Sequence, residues 1–249
     1  MMPGDLASPV ALITGAARRV GAVIARTLHG AGYDVALHCR SSRTELDALI
    51  AELESERPDS TLALQADLTD SARLPSLVED TVARFGRLDA LVNNAAAFRP
   101  TPFGTVTAQQ CDGFFATNAR APLLLSQAAA MHLRHSHGSI VNIVDIYAQQ
   151  PLPDYMAYCV SKAALAMATL ALAQELGPGV RVNGVAPGNV LWSDHPIAAE
   201  TMATILQRTA LKRQGSPRDI AGAVLWLLRD ATYVTGQILR VDGGRGLSI

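Results

Sequence analysis

Short apolar segments alternate with longer helical stretches along the whole chain of 249 residues. The apolar segments, such as 10–13 and 90–93, are rich in branched residues and do not alternate in polarity, which is typical of strands buried on both faces of a parallel sheet. Between them, Leu46, Leu49, Ile50 and Leu53 follow the spacing of one helical face. The alternation predicts an α/β protein, a doubly wound parallel sheet with helices on both faces.

The predicted elements form one domain without a linker or an internal repeat. Strands are predicted at 10–13, 34–38, 62–65, 90–93, 139–144, 181–186 and 237–241. Helices are predicted at 21–31, 44–56, 71–85, 108–116, 118–132, 155–175, 201–206 and 220–228. The irregular segment 187–201 follows a strand, where ligands bind in such sheets, so it is either a lid or an ordinary surface loop.

Composition excludes several classes of partner. The formal net charge is −1, so we expect neither a nucleic-acid nor a membrane partner. No uninterrupted apolar run reaches the roughly 18–20 residues of a membrane span, and residues 1–9 do not resemble a signal peptide. Three scattered cysteines predict a reducing, cytoplasmic location.

A glycine-rich turn lies between the first strand and the first helix. Gly15 allows a sharp turn, Gly21 allows close packing of the helix, and the helix N-terminus offers free N–H groups to a pyrophosphate. Arg18 and Arg19 stand at this positive end, where cations are unfavourable. They therefore indicate an anionic ligand, although they could also be solvated residues at the start of a helix.

The second strand ends in a basic, hydroxyl-rich segment instead of an acidic residue. Arg40, Ser41, Ser42 and Arg43 suit a 2′-phosphate, whereas an acidic residue would bind a ribose hydroxyl. The predicted cofactor is therefore NADPH. After the third strand, Asp67 and Leu68 either begin a helix or contact the adenine ring.

Tyr158 and Lys162 are four residues apart on a predicted helix and therefore share a face. A nearby ammonium favours the phenolate, so we expect Lys162 to lower the pKa of Tyr158. Asp145 ends the fifth strand. A carboxyl group whose pKa is raised by burial can protonate nitrogen, which favours reduction of a C=N bond, although Asp145 could simply cap a loop.

Several motifs together resemble the short-chain dehydrogenase/reductase family across nearly the whole chain. These are the turn from Thr14 to Gly21, Asn93-Asn94-Ala95, Asn118, Tyr158-x3-Lys162, Pro187-Gly188 and the late 241–244 segment Val-Asp-Gly-Gly. The resemblance implies a single Rossmann-fold domain over 1–249, with a cofactor half at about 1–140 and the catalytic helix and substrate loop at about 141–249.

Two departures from that family make the chain similar to the pteridine reductases. Asp145 stands where most members have serine, and Arg19 where most have glycine. The 94–102 segment and Pro151-Leu152-Pro153 also resemble that group. Ala96 departs from it, because the group tends to have serine there. Loss of a hydroxyl could cost about 1 kcal/mol if a partner were left unpaired.

The resemblance implies a role for each matched residue. Asp145, Tyr158 and Lys162 would be catalytic, with Asn118 supporting Lys162 through a water. Phe98 would stack a pterin ring against the nicotinamide, and Arg19 would reach the pterin and the phosphates. The implied cofactor-binding residues are Gly15, Arg18, Arg19, Val20, His38, Arg40, Ser41, Ser42, Asp67, Leu68, Asn94, Ala95, Tyr158, Lys162, Pro187 and Gly188. The implied substrate-binding residues are Arg19, Ala96, Phe98, Asp145, Tyr158 and Trp192.

The predicted function is NADPH-dependent reduction of a pterin or folate by a homotetramer. The alternatives are a carbonyl or 3-oxoacyl reductase of the same fold and, from another class, a dinucleotide-binding regulator without catalysis. His132, His135 and His137 have metal-like spacing but stand at a predicted helix end, so no metal site is expected. Cys159 is predicted to be a core thiol, and Trp192 either closes the pocket or packs inward.

Overall fold

The fold is described from a computed structural model for residues 8–192 and 198–248. Seven parallel strands form one sheet in the order β3-β2-β1-β4-β5-β6-β7. The strands are β1 (Val10–Ile13), β2 (Asp34–Cys39), β3 (Thr61–Gln65), β4 (Ala90–Asn93), β5 (Ser139–Ile143), β6 (Arg181–Pro187) and β7 (Ile238–Val241). The order reverses between β1 and β4, which creates a crevice at the carboxyl edge. The predicted Rossmann fold is confirmed.

In the described part of the chain, eight α-helices flank the sheet. They are α1 (Arg19–Gly30), α2 (Arg43–Glu56), α3 (Leu74–Phe85), α4 (Ala108–Phe115), α5 (Ala121–Ser136), α6 (Met156–Leu176), α7 (Ala199–Arg208) and α8 (Pro217–Arg229). Helix α1 begins two residues earlier than predicted, and 71–73 form a separate 3₁₀ turn before α3. Helix α7 begins inside the segment predicted to be irregular.

Alternate residues of β1 serve the two faces of the sheet, as the period of a strand requires. Ala11 and Ile13 belong to the core under α1 and α8, whereas Val10 and Leu12 belong to the core under α3, α5 and α6. All four are fully buried. A strand with no solvent face must be apolar throughout, which explains why its sequence does not alternate.

A π-helical turn, Ala116–Arg120, joins α4 to α5 and makes 108–136 one helical stretch. The sequence predicted two separate helices there. The wider turn keeps the backbone helical while it inserts one extra residue, and such bulges are frequent at functional sites. Here the turn carries Asn118.

Helix α6 is, among the residues described, the one helix long and apolar enough to cross a membrane, with a mean hydropathy of 1.5. Half of that apolar window is buried inside the protein, and its buried face carries Tyr158 and Lys162. The helix packs on β6 and on helices α4 and α5. It is therefore a core helix that brings two polar side chains to the edge of the sheet.

Candidate active site

The turn between β1 and α1 is held in a conformation that requires glycine. Gly15 has a φ of +64°, and a Cβ there would lie 2.9 Å from the Cα of Ala95. A Cβ on Gly21 would lie 2.1 Å from the carbonyl oxygen of Gly15. The first turn of α1 therefore lies directly against the end of β1, as the sequence predicted for both glycines.

Asn94 fastens this turn to the end of β4. Its Nδ2 donates to the carbonyl oxygens of Thr14 and Gly15, at 2.9 and 3.0 Å. The Thr14 hydroxyl oxygen accepts from the backbone N–H groups of Asn94 and Ala95, both at 3.0 Å. Asn94 and Ala95 thus hold the turn to β4 and also line the crevice.

The N-terminus of α1 is not capped by a side chain. Arg18 is the N-cap, its side chain makes no capping bond, and the first turn contains no acidic residue. An uncapped helix start is a good site for phosphate, because its N–H groups and the helix dipole both favour negative charge. These features fit a bound dinucleotide.

A cavity of about 530 Å³ extends from this helix start along the carboxyl edge. It brings together most of the predicted cofactor residues and three predicted substrate residues, of which Arg19 was predicted for both. Its predicted lining residues are Gly15, Arg18, Arg19, Val20, His38, Arg40, Ser41, Ser42, Asp67, Leu68, Asn94, Ala95, Ala96 and Phe98. The sequence analysis did not identify Ala97, Arg99 and Thr117 as lining residues.

One arginine of the basic segment is turned away from the cavity. The Nε of Arg43 donates to Asp47 Oδ1 at 2.8 Å, one turn along α2, and Arg43 does not line the cavity. Arg40 and the Ser41 and Ser42 hydroxyls remain at the lining. The prediction that Arg43 shares in a phosphate site is therefore not supported by this geometry.

His38 is a buried part of the scaffold. Its Nδ1 accepts from the Gly15 N–H at 3.3 Å, and its Nε2 lies 3.1 Å from the Ala66 carbonyl oxygen. Burial lowers its pKa, so the ring is neutral. Because both ring nitrogens have protein partners, His38 supports the turn instead of holding a phosphate, which corrects its expected role.

Asp67 was predicted either to begin a helix or to contact the adenine ring. Its carboxylate accepts from the N–H and the hydroxyl of Thr69, at 2.9 and 2.8 Å, and these bonds lower its pKa. The following 3₁₀ turn is capped by Asp70, not by Asp67. Asp67 therefore shapes a tight turn at the cavity wall beside the buried Leu68.

Tyr158 and Asp145 are joined at the end of β5. The Tyr158 hydroxyl donates to Asp145 Oδ2 at 2.5 Å, and Asp145 Oδ1 accepts from the Tyr147 N–H at 3.0 Å. Asp145 does begin the 3₁₀ turn 146–148, as the alternative prediction held. Its second carboxylate oxygen nevertheless accepts from the Tyr158 hydroxyl, so Asp145 both caps the turn and binds the phenol.

Lys162 lies beneath this pair. Its Nζ donates to the carbonyl oxygen of Ile143 at 2.7 Å and lies 6.0 Å from the centre of the Tyr158 ring. The side chain is almost completely buried, and burial lowers its pKa to about 8. The predicted shared helix face of Tyr158 and Lys162 is confirmed.

The pKa of Tyr158 shifts in the direction opposite to the prediction. Burial raises it well above its usual value, and the neighbouring Asp145 carboxylate raises it further because it repels a phenolate. These two influences outweigh any lowering of the pKa by Lys162. Tyr158 therefore keeps its proton at neutral pH, and burial also raises the pKa of Asp145. The pair favours states that retain protons.

The Asn118 side chain hydrogen-bonds to two separate segments, at Ala97 and at Ser161. Its Oδ1 accepts from the Ala97 N–H at 2.8 Å, and its Nδ2 donates to the Ala97 carbonyl and to the Ser161 hydroxyl, at 3.0 and 2.9 Å. The side chain does not contact Lys162. Instead it holds the segment after β4 against α6. Its expected support of Lys162 through a water stays a prediction.

Phe98 is half exposed and belongs to a cluster of aromatic rings. Its ring stacks on Tyr155, with centroids 4.6 Å apart and an interplanar angle of 19°. It meets Tyr158 edge to face at 4.7 Å. The sequence analysis did not single out Tyr155, three residues before Tyr158, although an aromatic residue at the start of the catalytic helix is a usable signal.

The segment after β6 connects to the cofactor turn. Arg19, with a φ of +55°, donates from Nη2 to the carbonyl oxygen of Trp192 at 2.8 Å. Pro187 ends β6, and the Gly188 N–H donates to Val241 at 3.0 Å. Pro187, Gly188 and Trp192 do not line the 530 Å³ cavity. Residues 193–197 of the proposed lid lie outside the described part of the chain.

His132, His135 and His137 stand at the end of α5, and Cys159 lies in α6. Helix α5 ends at Ser136, with His137 in the left-handed conformation, and 8–192 and 198–248 contain no metal-like group of histidine, cysteine and acidic residues. The Cys159 thiol is buried, and its sulfur accepts from the Leu152 N–H at 3.4 Å. This agrees with its prediction as a core thiol.

Comparison with known proteins gives the family. The family model described as enoyl-(acyl carrier protein) reductase matches residues 15–245. Pteridine reductase 1 of Leishmania tarentolae is 35% identical, with 97% of each chain covered. The 3-oxoacyl-(acyl-carrier-protein) reductase FabG of Staphylococcus aureus is 34% identical, covering 94% of this chain and 96% of its own.

A solved structure is similar over almost the whole fold. The blue fluorescent protein from a metagenomic library, in complex with NADPH, has a TM-score of 0.89 and 36% identity. The match covers 95% of this chain and 97% of that one. Fold, motifs and relatives agree, and the chain belongs to the short-chain dehydrogenase/reductase family.

Proposed function

We propose that this protein uses NADPH to reduce the ring of a dihydropterin or dihydrofolate to the tetrahydro form. The observation that carries the proposal is the hydrogen bond of 2.5 Å between the Tyr158 hydroxyl and Asp145 Oδ2. Reduction of a C=N bond needs a proton at nitrogen. A buried carboxyl group with a raised pKa can hold that proton, whereas a serine hydroxyl can only donate a hydrogen bond.

The cofactor assignment is supported by the basic end of the cavity. Arg40, Ser41 and Ser42 offer one charge and two hydroxyls beside the N-terminus of α2. This combination suits a 2′-phosphate, and a solved relative binds NADPH. NADPH would supply hydride, with its pyrophosphate at the start of α1 and its ribose near Tyr158 and Lys162.

The protein's own groups would hold the ring and move the proton. Phe98 presents a half-exposed ring in the same cavity, so a flat heterocycle can stack on it. Asp145, in its protonated state, would donate to the ring nitrogen. The Tyr158 hydroxyl, which keeps its proton at neutral pH, would hold Asp145 in position through their hydrogen bond, and water would return to Asp145 the proton that it gives up.

The second candidate is reduction of a carbonyl group, as in a 3-oxoacyl thioester. Ala96 in place of the serine usual in pteridine reductases favours it, as does the 34% identity with the 3-oxoacyl reductase FabG. A non-catalytic dinucleotide-binding regulator has less support, because Asp145, Tyr158 and Lys162 are all in place.

A substrate panel tests the proposal. Purified protein is given NADPH with dihydrobiopterin, dihydrofolate or an acetoacetyl thioester, and NADPH oxidation is followed at 340 nm together with the reduced product. We expect turnover of at least one dihydropterin at a kcat/KM at least about tenfold above that of the thioester. Turnover of the thioester alone would establish the second candidate, and tight NADPH binding without turnover of any carbonyl or pterin would support the regulator.

The proposal includes a homotetramer in a reducing, cytoplasmic compartment. The outer face of α6 carries an exposed apolar stripe of Met156, Val160, Met167 and Leu170, which suits pairing with another copy. Cys39, Cys111 and Cys159 are all free. Light scattering at micromolar concentration gives the mass that tests the tetramer.

A further inference from the structure

Arg99 is a cation in the cavity that the proposed reaction does not use. It follows Phe98, lines the same 530 Å³ cavity and is exposed. Its guanidinium carbon lies 4.6 Å from the centre of the Phe114 ring. Phe114 is fully buried and packs against Tyr158, with the ring centres 6.3 Å apart. The Phe114 ring therefore lies between the positive charge of Arg99 and the phenol of Tyr158.

Two features leave the N–H donors of the Arg99 guanidinium accessible to a ligand. The face of an aromatic ring attracts and orders a guanidinium but accepts few of its five N–H donors. Helix α4 has a glycine opposite, since a Cβ on Gly113 would lie 3.6 Å from Arg99 Nη2. A Cβ there would be in ordinary van der Waals contact with the guanidinium, so glycine leaves this side of Arg99 uncovered.

Arg99 also differs from Arg18 and Arg43 in its electrostatic partners. Arg18 lies 3.6 Å from Glu45, and Arg43 pairs with Asp47. Within 8–192 and 198–248, Arg99 has neither an ion pair nor a hydrogen bond, and its one specific contact is the Phe114 ring. An ordered guanidinium with open donors beside a substrate site is well suited to bind a carboxylate.

We propose that Arg99 binds a carboxylate on the side chain of the substrate, so that the enzyme prefers dihydropterins with an acidic tail, of the dihydrofolate type, over those with a neutral side chain. This inference rests on the proposed function. Phe98 would hold the ring, and the adjacent Arg99 would hold the tail. Arg99 acts in binding and not in the chemical step, because the tail does not take part in proton or hydride transfer.

The test compares three substrates that share a ring but differ in charge: dihydrofolate, its dimethyl ester and dihydrobiopterin. Each is measured with wild type, Arg99→Gln and Arg99→Lys at fixed, saturating NADPH. Arg73→Gln is the matched control, because Arg73 is exposed and lies outside the cavity on the 71–73 turn. We expect wild type to have a KM about fivefold lower for dihydrofolate than for its ester.

In Arg99→Gln that difference should disappear. Its KM for dihydrofolate should rise about fivefold with kcat unchanged, while its KM for the ester and for dihydrobiopterin stays within about twofold. Arg99→Lys should recover part of the effect, Arg73→Gln should match wild type, and added salt should raise the KM of wild type for dihydrofolate alone.

The possible failures are distinguishable. If Arg99→Gln raises KM equally for all three substrates, or if wild type does not distinguish acid from ester, the inference is wrong while the proposed pterin reduction stands. If wild type reduces none of the three, the proposed function is wrong and the inference is overturned with it.

Discussion

The Tyr158 hydroxyl donates to Asp145 Oδ2 across 2.5 Å, and both groups are buried at the end of β5. Burial raises the pKa of each group, and the charge of an ionised Asp145 raises that of Tyr158 further. The two side chains are thus arranged to share and retain protons instead of forming a phenolate. This arrangement suits delivery of a proton to nitrogen.

The close approach of α1 to the cofactor turn predicts a large effect of one added methyl group. Gly21→Ala would place a Cβ 2.1 Å from the Gly15 carbonyl oxygen and 2.6 Å from Asn94 Nδ2. We expect it to lower the free energy of unfolding by about 3 kcal/mol and to weaken NADPH binding. Gly30→Ala, at the other end of α1 with nothing within 4 Å, is the control. Urea unfolding should show it to be neutral or more stable by up to about 1 kcal/mol.

The basic segment after β2 predicts the choice between the two nicotinamide cofactors. Arg40→Gln removes the cation that lines the cavity there, so KM for NADPH should rise about tenfold while KM for NADH changes little. Arg43→Gln is the matched control, because Arg43 pairs with Asp47 outside the cavity. Equal effects of the two substitutions on NADPH would contradict the assignment of the 2′-phosphate to Arg40.

The buried ammonium of Lys162 predicts a conflict between stability and activity. Burial lowers its pKa from 10.5 to about 8, a cost of roughly 3 kcal/mol at pH 7, part of which is offset by the bond to Ile143. Lys162→Met should therefore abolish turnover and raise the free energy of unfolding at pH 7 by about 1 kcal/mol. Urea denaturation and steady-state assays measure the two effects.

The pH dependence of that stability follows from the direction of the shift. Between the folded pKa of about 8 and the unfolded value of 10.5, the unfolded chain binds more protons at Lys162 than the folded chain does. The free energy of unfolding of wild type should therefore rise relative to Lys162→Met across this window. A constant difference between pH 7 and pH 10 would show that the ammonium is not destabilised by burial.

The raised pKa of Asp145 predicts the pH profile of the reaction. If Asp145 donates the proton, kcat with a dihydropterin should fall as pH rises through that pKa, because the donor is then ionised. In Asp145→Asn the fall should be absent and the remaining rate low at all pH values. An unchanged profile in Asp145→Asn would assign the proton to another group.

Much of the fold could be predicted from the sequence, because strands buried on both faces must be apolar throughout. The seven strands and the helix carrying Tyr158 and Lys162 follow from that pattern. The π-helical turn at Asn118 could not be predicted, because nothing in residues 116–120 departs from an ordinary helical sequence. It is apparent only in the backbone, where the Ala121 N–H bonds to the Ala116 carbonyl oxygen.

The site could be predicted as a set of residues but not as a set of roles. Sequence order placed Gly15, Arg40 and Phe98 at one sheet edge. It did not show that His38 supports the turn, that Arg43 pairs within its own helix or that Tyr155 stacks on Phe98. The spacing of Tyr158 and Lys162 predicted a lowered pKa for Tyr158, but burial and Asp145 raise that pKa instead. Such effects depend on neighbours distant in sequence.

The most direct test of the account is kcat/KM of wild type and Asp145→Ser for one dihydropterin and one 3-oxoacyl thioester, measured at pH 7 with saturating NADPH. We predict that Asp145→Ser lowers kcat/KM for the dihydropterin by about a hundredfold while it maintains or improves that for the thioester. Preserved or improved turnover of the dihydropterin by Asp145→Ser would contradict the central claim that Asp145 supplies the proton.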